Sequence, residues 1–312
     1  RHGRNGGMDD SPLALCFGEV LWDILPEGRF AGGAPFNVGY HLSRFDWRVM
    51  PVSAVGDDAM GHELSGLLAG WGISTEGVAV LPGRPTGTVA VELDAEGKPT
   101  FSIRRDVAWD AIPVTESLGR AAAAADVLVF GSLALRSAAN RRALDALLDS
   151  ARGARRVFDV NLRPPHDDLD LVRALWARSD IIKLNDEEAD RLTACGQGNG
   201  APERGAREIA RAAGAEIVCV TCGGRGAGLF VENRWIGEPT RPVVVADTVG
   251  SGDAFWAALV AGVRLGWPHA DALAAACRLG EWIAARPGAT PPYRALPSSR
   301  ADKGWDFSGE PK

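Results

Sequence analysis

The 312-residue sequence contains no apolar run long enough to cross a bilayer, no block of lysine and arginine, and only five cysteines. The first absence argues against a helical membrane span. The second, with a net charge of -6, argues against a nucleic-acid partner. Scattered cysteines and no recognisable secretory leader fit a reducing, cytoplasmic setting better than a disulfide framework. Cys219 and Cys222 form a CxxC, but Cys219 falls in a run at 216–221 that reads as a buried strand and Cys222 directly follows it, and along a strand positions three apart face opposite ways. No second CxxC completes a zinc site. Familiar phosphate loops are missing too. A P-loop ending at Gly97-Lys98 needs glycine where Glu92 stands, and GxGxxG breaks at Leu229 and at Phe255. Neither a Walker ATPase nor a dinucleotide dehydrogenase is supported.

What is present is ordinary for a globular protein: 46% apolar and 24% charged residues. Residues 1–7 (RHGRNGG), ahead of Met8, and the polar stretch 297–312 read as tails, the latter mobile. One domain over residues 12–296 remains. An apolar run at 13–20 predicts a buried parallel strand, 49–55 a second strand, and 36–45 and 59–69 helices. Residues 86–93 and 101–105 alternate apolar and polar across a turn at 94–99, the period of a half-exposed antiparallel hairpin. Inserted in an α/β chain, such a hairpin reads as a lid, with segments at about 22–34 and 86–110. From 115 onward helix and strand alternate, with strands at 126–131, 156–160, 181–184 and 216–221. That pattern predicts an α/β fold of three layers, with a mainly parallel sheet between helices.

The chain is organised around DTVGSGDAFWAALVAG at 247–262. Its β-branched lead-in at 243–246 predicts a short strand, Gly250-Ser251-Gly252 a tight turn, and Asp253 the opening of an apolar helix stopped by Gly266 and Pro268. Free amides of such a turn converge on one point, where the helix dipole also favours an anion. A loop that only grips phosphate would avoid the acid. An enzyme that moves a phosphoryl group onto an alcohol needs both the amides and a base, and Asp253 is placed to serve as one.

Other polar residues fall where successive strands would deliver them to one sheet edge. Asp23 follows the first strand. Gly32 and Gly33 precede Asn37, whose amide suits sugar hydroxyls or a helix cap. Asp159 to Arg163, Asn185 with Glu188, and Thr221 to Gly226 end three further strands.

Together these residues resemble the ribokinase-like (PfkB-type) carbohydrate kinases, through GGAPFNV at 32–38 and DTVGSGDAF at 247–255. The resemblance covers nearly the whole chain and implies a three-layer fold with a small β-sheet lid. It implies Asp253 as catalytic base, with Gly250, Ser251 and Gly252 as the anion hole. It places the sugar at Asp23, Gly32, Gly33 and Asn37, and from the expected lid Arg104 or Arg105, with Arg105 preferred, is expected to reach it. Arg163, Asn185, Thr221, Gly223 and Gly226 are implied for ATP, with Cys277 near the adenine, where similar sequences often carry asparagine. Glu188 is implied for Mg²⁺, and Asp247 with the Val249 carbonyl for a monovalent cation such as K⁺. The GGAPxN form, with Gly18-Glu19 ahead of Asp23, is most similar to the fructokinases, and VAWD at 107–110 also occurs in fructokinase-like relatives. The expected activity is ATP-dependent phosphorylation of fructose at its 6-hydroxyl. Alternatives are 2-keto-3-deoxygluconate, ribose or a nucleoside as acceptor, or a sugar-binding regulator without catalysis. A homodimer through the lid is a further expectation.

Overall fold

The computed structural model describes residues 11–25, 28–93, 99–196, 198, 200–297 and 305–309. Residues 94–98 of the expected lid turn lie outside them. Strand β1 (Leu13–Phe17) leads through β2 (Leu21–Leu25) and β3 (Gly28–Gly32) to helix α1 (Ala34–Arg44). Next come β4 (Arg48–Gly56), α2 (Ala59–Gly70) and β5 (Val78–Leu81), then β6 (Gly87–Leu93) and β7 (Pro99–Ile103). The second half runs α3 (Glu116–Ala124), β8 (Val127–Gly131), α4 (Ala138–Ser150), β9 (Arg155–Asp159), α5 (Leu169–Trp176) and β10 (Ile181–Asn185). It continues through α6 (Asp186–Thr193), α7 (Ala201–Ala213), β11 (Ile217–Thr221), β12 (Ala227–Val231) and β13 (Arg234–Glu238). Two helices, α8 (Ser251–Arg264) and α9 (His269–Ala284), and two short strands, β14 (Arg294–Pro297) and β15 (Trp305–Gly309), close the chain.

Nine strands form the large sheet in the order β13-β12-β11-β10-β9-β8-β1-β4-β5. It is parallel from β11 to β5, because helical crossovers return each strand in the same direction. The antiparallel hairpin β12–β13 extends one edge. The central strands are apolar on both faces and covered on both. One core packs α1, α2, α8 and α9 against one face, and a second packs α3 to α7 against the other. The expected three layers and mainly parallel sheet are observed.

Four strands in the order β3-β2-β6-β7 build the separate small sheet. Both expected lid segments enter it, and the 86–93 and 101–105 hairpin is present as β6 and β7. The segment that follows β7 is fastened by a buried cluster. Arg136 forms a two-point ion pair with Asp110 at 2.7 and 2.9 Å, stacks 4.0 Å over the Trp109 ring, and donates to the Arg104 carbonyl. The Asn140 amide meets the Trp109 and Ala134 carbonyls and the Ile112 N–H. The 107–110 segment therefore anchors the small sheet to the main body.

Three expectations need correction. The strand expected at 13–20 stops at Phe17. At Gly18 the chain turns, held by Ser53 Oγ donating to the Gly18 carbonyl at 2.6 Å, and Asp23 lies inside lid strand β2 instead of beyond β1. Residues 243–246 form no strand: Val244 is 91% exposed, and Ala246 and Asp247 donate instead to the Ala284 carbonyl at the end of α9. β-branching favours a pleated, half-buried surface, and no neighbouring strand supplies one there. The expected tail contains β15, paired with β14, because Phe307 packs its ring against Trp282 and Tyr293.

Candidate active site

Helix α8 begins at Ser251 with Gly250 as its cap, so Asp253 stands in the first turn instead of opening the helix. A carboxylate there is favoured by the helix dipole. Gly250 has φ 75°, and a Cβ on it would stand 2.5 Å from the Ala289 Cβ, so the turn tolerates no side chain. Ser251 spends both its N–H and its hydroxyl on the Thr248 carbonyl. The N–H groups of Gly250, Gly252 and Asp253 have no partner among the described residues. The amides left to meet an anion are thus those of Gly250, Gly252 and Asp253, while Ser251 tightens the turn.

Asn37 brings the two family signatures together. Its Nδ2 donates to Asp253 Oδ2 at 2.8 Å across 216 positions of sequence. The residue is 5% exposed, and its Oδ1 has no partner among the described residues. Asn37 is not the cap of α1; that position is Gly33, whose φ of 115° and approach to the Glu19 carbonyl exclude a Cβ. Burial and the charge of Asp159 push the Asp253 carboxyl up to about 6, against the Asn37 hydrogen bond, Lys183 and Arg163. Burial also raises Asp23 to about 6, with Arg163 the opposing cation. Asp23 lies against Gly32, where a Cβ would fall 2.4 Å from its Oδ2. Arg105 is exposed beside His166, so Arg163 is the cation that faces Asp23.

Asn185 and Glu188 cap α6 reciprocally. Glu188 N–H donates to Asn185 Oδ1 at 2.8 Å, and Asn185 N–H donates to Glu188 Oε2 at 2.9 Å. The other Glu188 oxygen accepts from Leu162 N–H at 2.7 Å, which fixes the strand end that carries Arg163. Asp247 bridges two segments, accepting from Val249 N–H and Gly288 N–H at 2.9 and 3.1 Å. Thr221, Gly223 and Gly226 form the turn from β11 into β12. Cys277 is buried on α9, beside Cys219 of β11. Among the described residues no three His, Cys, Asp or Glu side chains are grouped to hold a metal ion. A divalent ion here would need substrate oxygens to complete its shell, which is how magnesium ordinarily meets phosphates.

Three features escaped the sequence reading. Glu19 is 3% exposed and accepts from Ala34 N–H at 3.2 Å, and its Oε2 has no partner among the described residues. Burial pushes it up to about 7, and Asp253 adds to the rise. His41, fully buried on α1, donates from Nε2 to the Ala289 carbonyl, so its bare Nδ1 accepts from the Tyr293 hydroxyl at 2.8 Å. Burial lowers it to about 3, and the neutral ring ties α1 to the loop behind Gly250. Lys183, in the middle of apolar strand β10, pairs with Asp159. A lone charge inside an apolar run was the available signal for Lys183. The others show only in three dimensions.

The sequence profile of the pfkB family carbohydrate kinases matches residues 27–296. The chain belongs to that family. Among curated relatives, a fructokinase of Klebsiella pneumoniae is 30% identical, over 79% of this chain and 82% of that protein. A fructokinase of Rhizobium leguminosarum bv. trifolii is 28% identical, over 81% of this chain and 80% of its own length. The solved structure of a fructokinase with bound ATP from Xylella fastidiosa superimposes with TM-score 0.77 at 24% identity, covering 89% of this chain and 94% of that one. An uncharacterized sugar kinase from Pyrococcus horikoshii aligns at TM-score 0.73 and 26% identity, covering 89% and 93%. This PfkB-family carbohydrate kinase has the ribokinase-like fold: a large, mostly parallel sheet between helices, with a separate small sheet.

Proposed function

We propose that this kinase transfers the γ-phosphoryl group of ATP to the 6-hydroxyl of fructose. The observation that carries the reading is the Asn37–Asp253 hydrogen bond, which brings an amide and a carboxylate together near glycine N–H groups that have no partner among the described residues. Asp253 takes the proton of the attacking hydroxyl, and its raised affinity for protons makes it a better base than an ordinary aspartate. Gly250 and Gly252 amides and Arg163 meet the charge of the transferring group. Asp23, Gly32, Gly33 and Asn37 hold the sugar, and Arg105 joins them when the small sheet closes over it. Phe30, 42% exposed and paired with Asp23 across β2 and β3, shares that face. Asn185, Thr221, Gly223, Gly226 and Cys277 take the nucleotide.

Glu188 and substrate oxygens would hold Mg²⁺, which when bound offsets the charge of the phosphates. The need is electrostatic, since Glu19, Asp159, Glu188 and Asp253 already outnumber Lys183 and Arg163 around the turn. Asp247 and the Val249 carbonyl would serve a monovalent ion such as K⁺. Transfer of this kind depends mostly on positioning and charge stabilisation. A cytoplasmic homodimer joined through the small sheet belongs to the same proposal. Fructokinase relatives at 28–30% identity favour fructose over other acceptors. ATP consumption measured across fructose, 2-keto-3-deoxygluconate, ribose and a nucleoside tests it. Fructose is expected to give the highest kcat/KM, and a clear preference for another acceptor would refute the assignment.

A further inference from the structure

Lys183 lies within the apolar run of β10 at 8% exposure, and an ammonium so placed is costly unless something holds it. Its register partner on β9 is Asp159, 3% exposed, and Nζ donates to both carboxylate oxygens at 2.9 Å. An ammonium has three N–H groups. The third has no partner among the described residues. Asp159 is the last residue of β9, and Lys183 lies two residues before the end of β10, toward the sheet edge that presents the site. Above the pair is the anion turn: a Cβ on Gly252 would come 4.0 Å from Nζ.

The polar and charged groups around Asp253 come from several elements. Helix α1 contributes the neutral Asn37 amide, and the segment after β1 contributes Glu19. β9 and the loop after it contribute Asp159 and Arg163, and β10 contributes Lys183. α6 contributes Glu188, which faces Lys183. Arg163 is exposed, which leaves Lys183 as the buried cation of the group.

Building on the assignment of Asp253 as base, we propose that Lys183 is a positioning residue for the transfer. Locked by Asp159 beneath Gly252, its ammonium keeps Asp253 in the carboxylate form that accepts the proton. Asp159 acts on Asp253 in two opposed ways: its own charge favours the protonated acid, while its grip on Lys183 keeps the countering cation in place. The arrangement agrees with the direction in which each shifts Asp253, Asp159 upward and Lys183 downward.

The test is a carboxyl ¹³C NMR titration of Asp253 in the substrate-free protein, with Asp253→Asn to assign the resonance. Lys183→Met is expected to raise the midpoint by about one pH unit, the scale of a neighbouring charge. Asp159→Asn is expected to lower it, and the double variant to fall between the two. The acid limb of kcat should move in parallel, with the KM for sugar within several-fold, and Lys183→Arg should restore the wild-type limb. If Lys183→Met fails to fold because Asp159 is left buried and unpaired, Asp159→Asn and the double variant decide. A midpoint about one unit lower in Asp159→Asn than in the double variant supports the proposal, and equal midpoints overturn it. An unmoved midpoint in folded Lys183→Met also overturns it. A midpoint that moves while the kinetic limb stays fixed shows the charge coupling of Lys183 to Asp253 but refutes Asp253 as the base, and with it the role of Lys183 in the transfer.

Discussion

Asn37 and Asp253 meet at 2.8 Å although 216 positions separate them in sequence. The contact joins the N-terminal turns of α1 and α8, the two helices that carry the glycine-rich signatures. It is also where a sugar hydroxyl and its base would come together. Asp253→Asn is expected to lower kcat by about 10²–10⁴-fold, the usual contribution of a positioned base. Sugar affinity should stay within several-fold. Initial rates and equilibrium sugar binding measure the two effects, and near-normal turnover would remove Asp253 from its role.

Asn37→Ala takes a hydrogen bond from the ionised form of Asp253, and a donor to the charged form is what lowers a carboxyl. The acid limb of kcat, expected near pH 6 in the wild type, should move upward in this variant, and the KM for sugar should rise. A pH–rate profile from pH 5 to 8 would show both. A limb that moved downward would contradict the geometry.

The same carboxyl has a cost in the absence of ligand. Its folded-state value of about 6 lies above the ordinary aspartate value. Below about pH 4 both folded and unfolded forms hold the proton and the group is neutral to stability. As pH rises the unfolded chain ionises first, so folding is penalised, fully so above pH 6. Asp253→Asn should therefore raise the apo Tm at pH 7–8, with the gain shrinking as pH falls toward 4. Glu19→Gln should behave alike, with its full gain reached only above pH 7, because burial raises Glu19 to about 7. Scanning calorimetry in a pH series measures this, and a gain that grew toward acid pH would refute it.

Gly250→Ala puts a Cβ where the Ala289 side chain already stands, 2.5 Å away, on backbone that L-residues rarely adopt. The turn must shift from the loop that His41 and Asp247 hold. A displacement of about 1 Å near the reacting atoms can cost about 10²-fold. A loss of that size in kcat is expected, with secondary structure unchanged by circular dichroism.

Arg136→Met leaves Asp110 largely buried without its partner at the root of the small sheet; the two side chains are 7% and 10% exposed. Removing one member of a buried pair costs about 3–5 kcal/mol. Urea unfolding should show a loss on that scale, and Arg136→Met/Asp110→Asn should recover part of it. A loss below about 1 kcal/mol would mean that the pair behaves as a surface one.

Much of this molecule could be read from its sequence. The alternation of apolar runs and amphipathic helices set the parallel sheet, since strand and helix periods follow from local geometry. Gly250, Gly252 and Asp253 carried their own meaning, because a turn free of side chains ahead of a helix is a local event. Tertiary structure alone decided the rest. It withheld strand pairing from Val243 and Val244, gave β15 a place through Phe307, and showed VAWD to be an anchor on Arg136. It also set Lys183 beside Asp159 and His41 behind Gly250. Burial and long-range register are properties of the packed chain, and an isolated window of sequence contains neither the neighbouring strand nor the water that packing excludes.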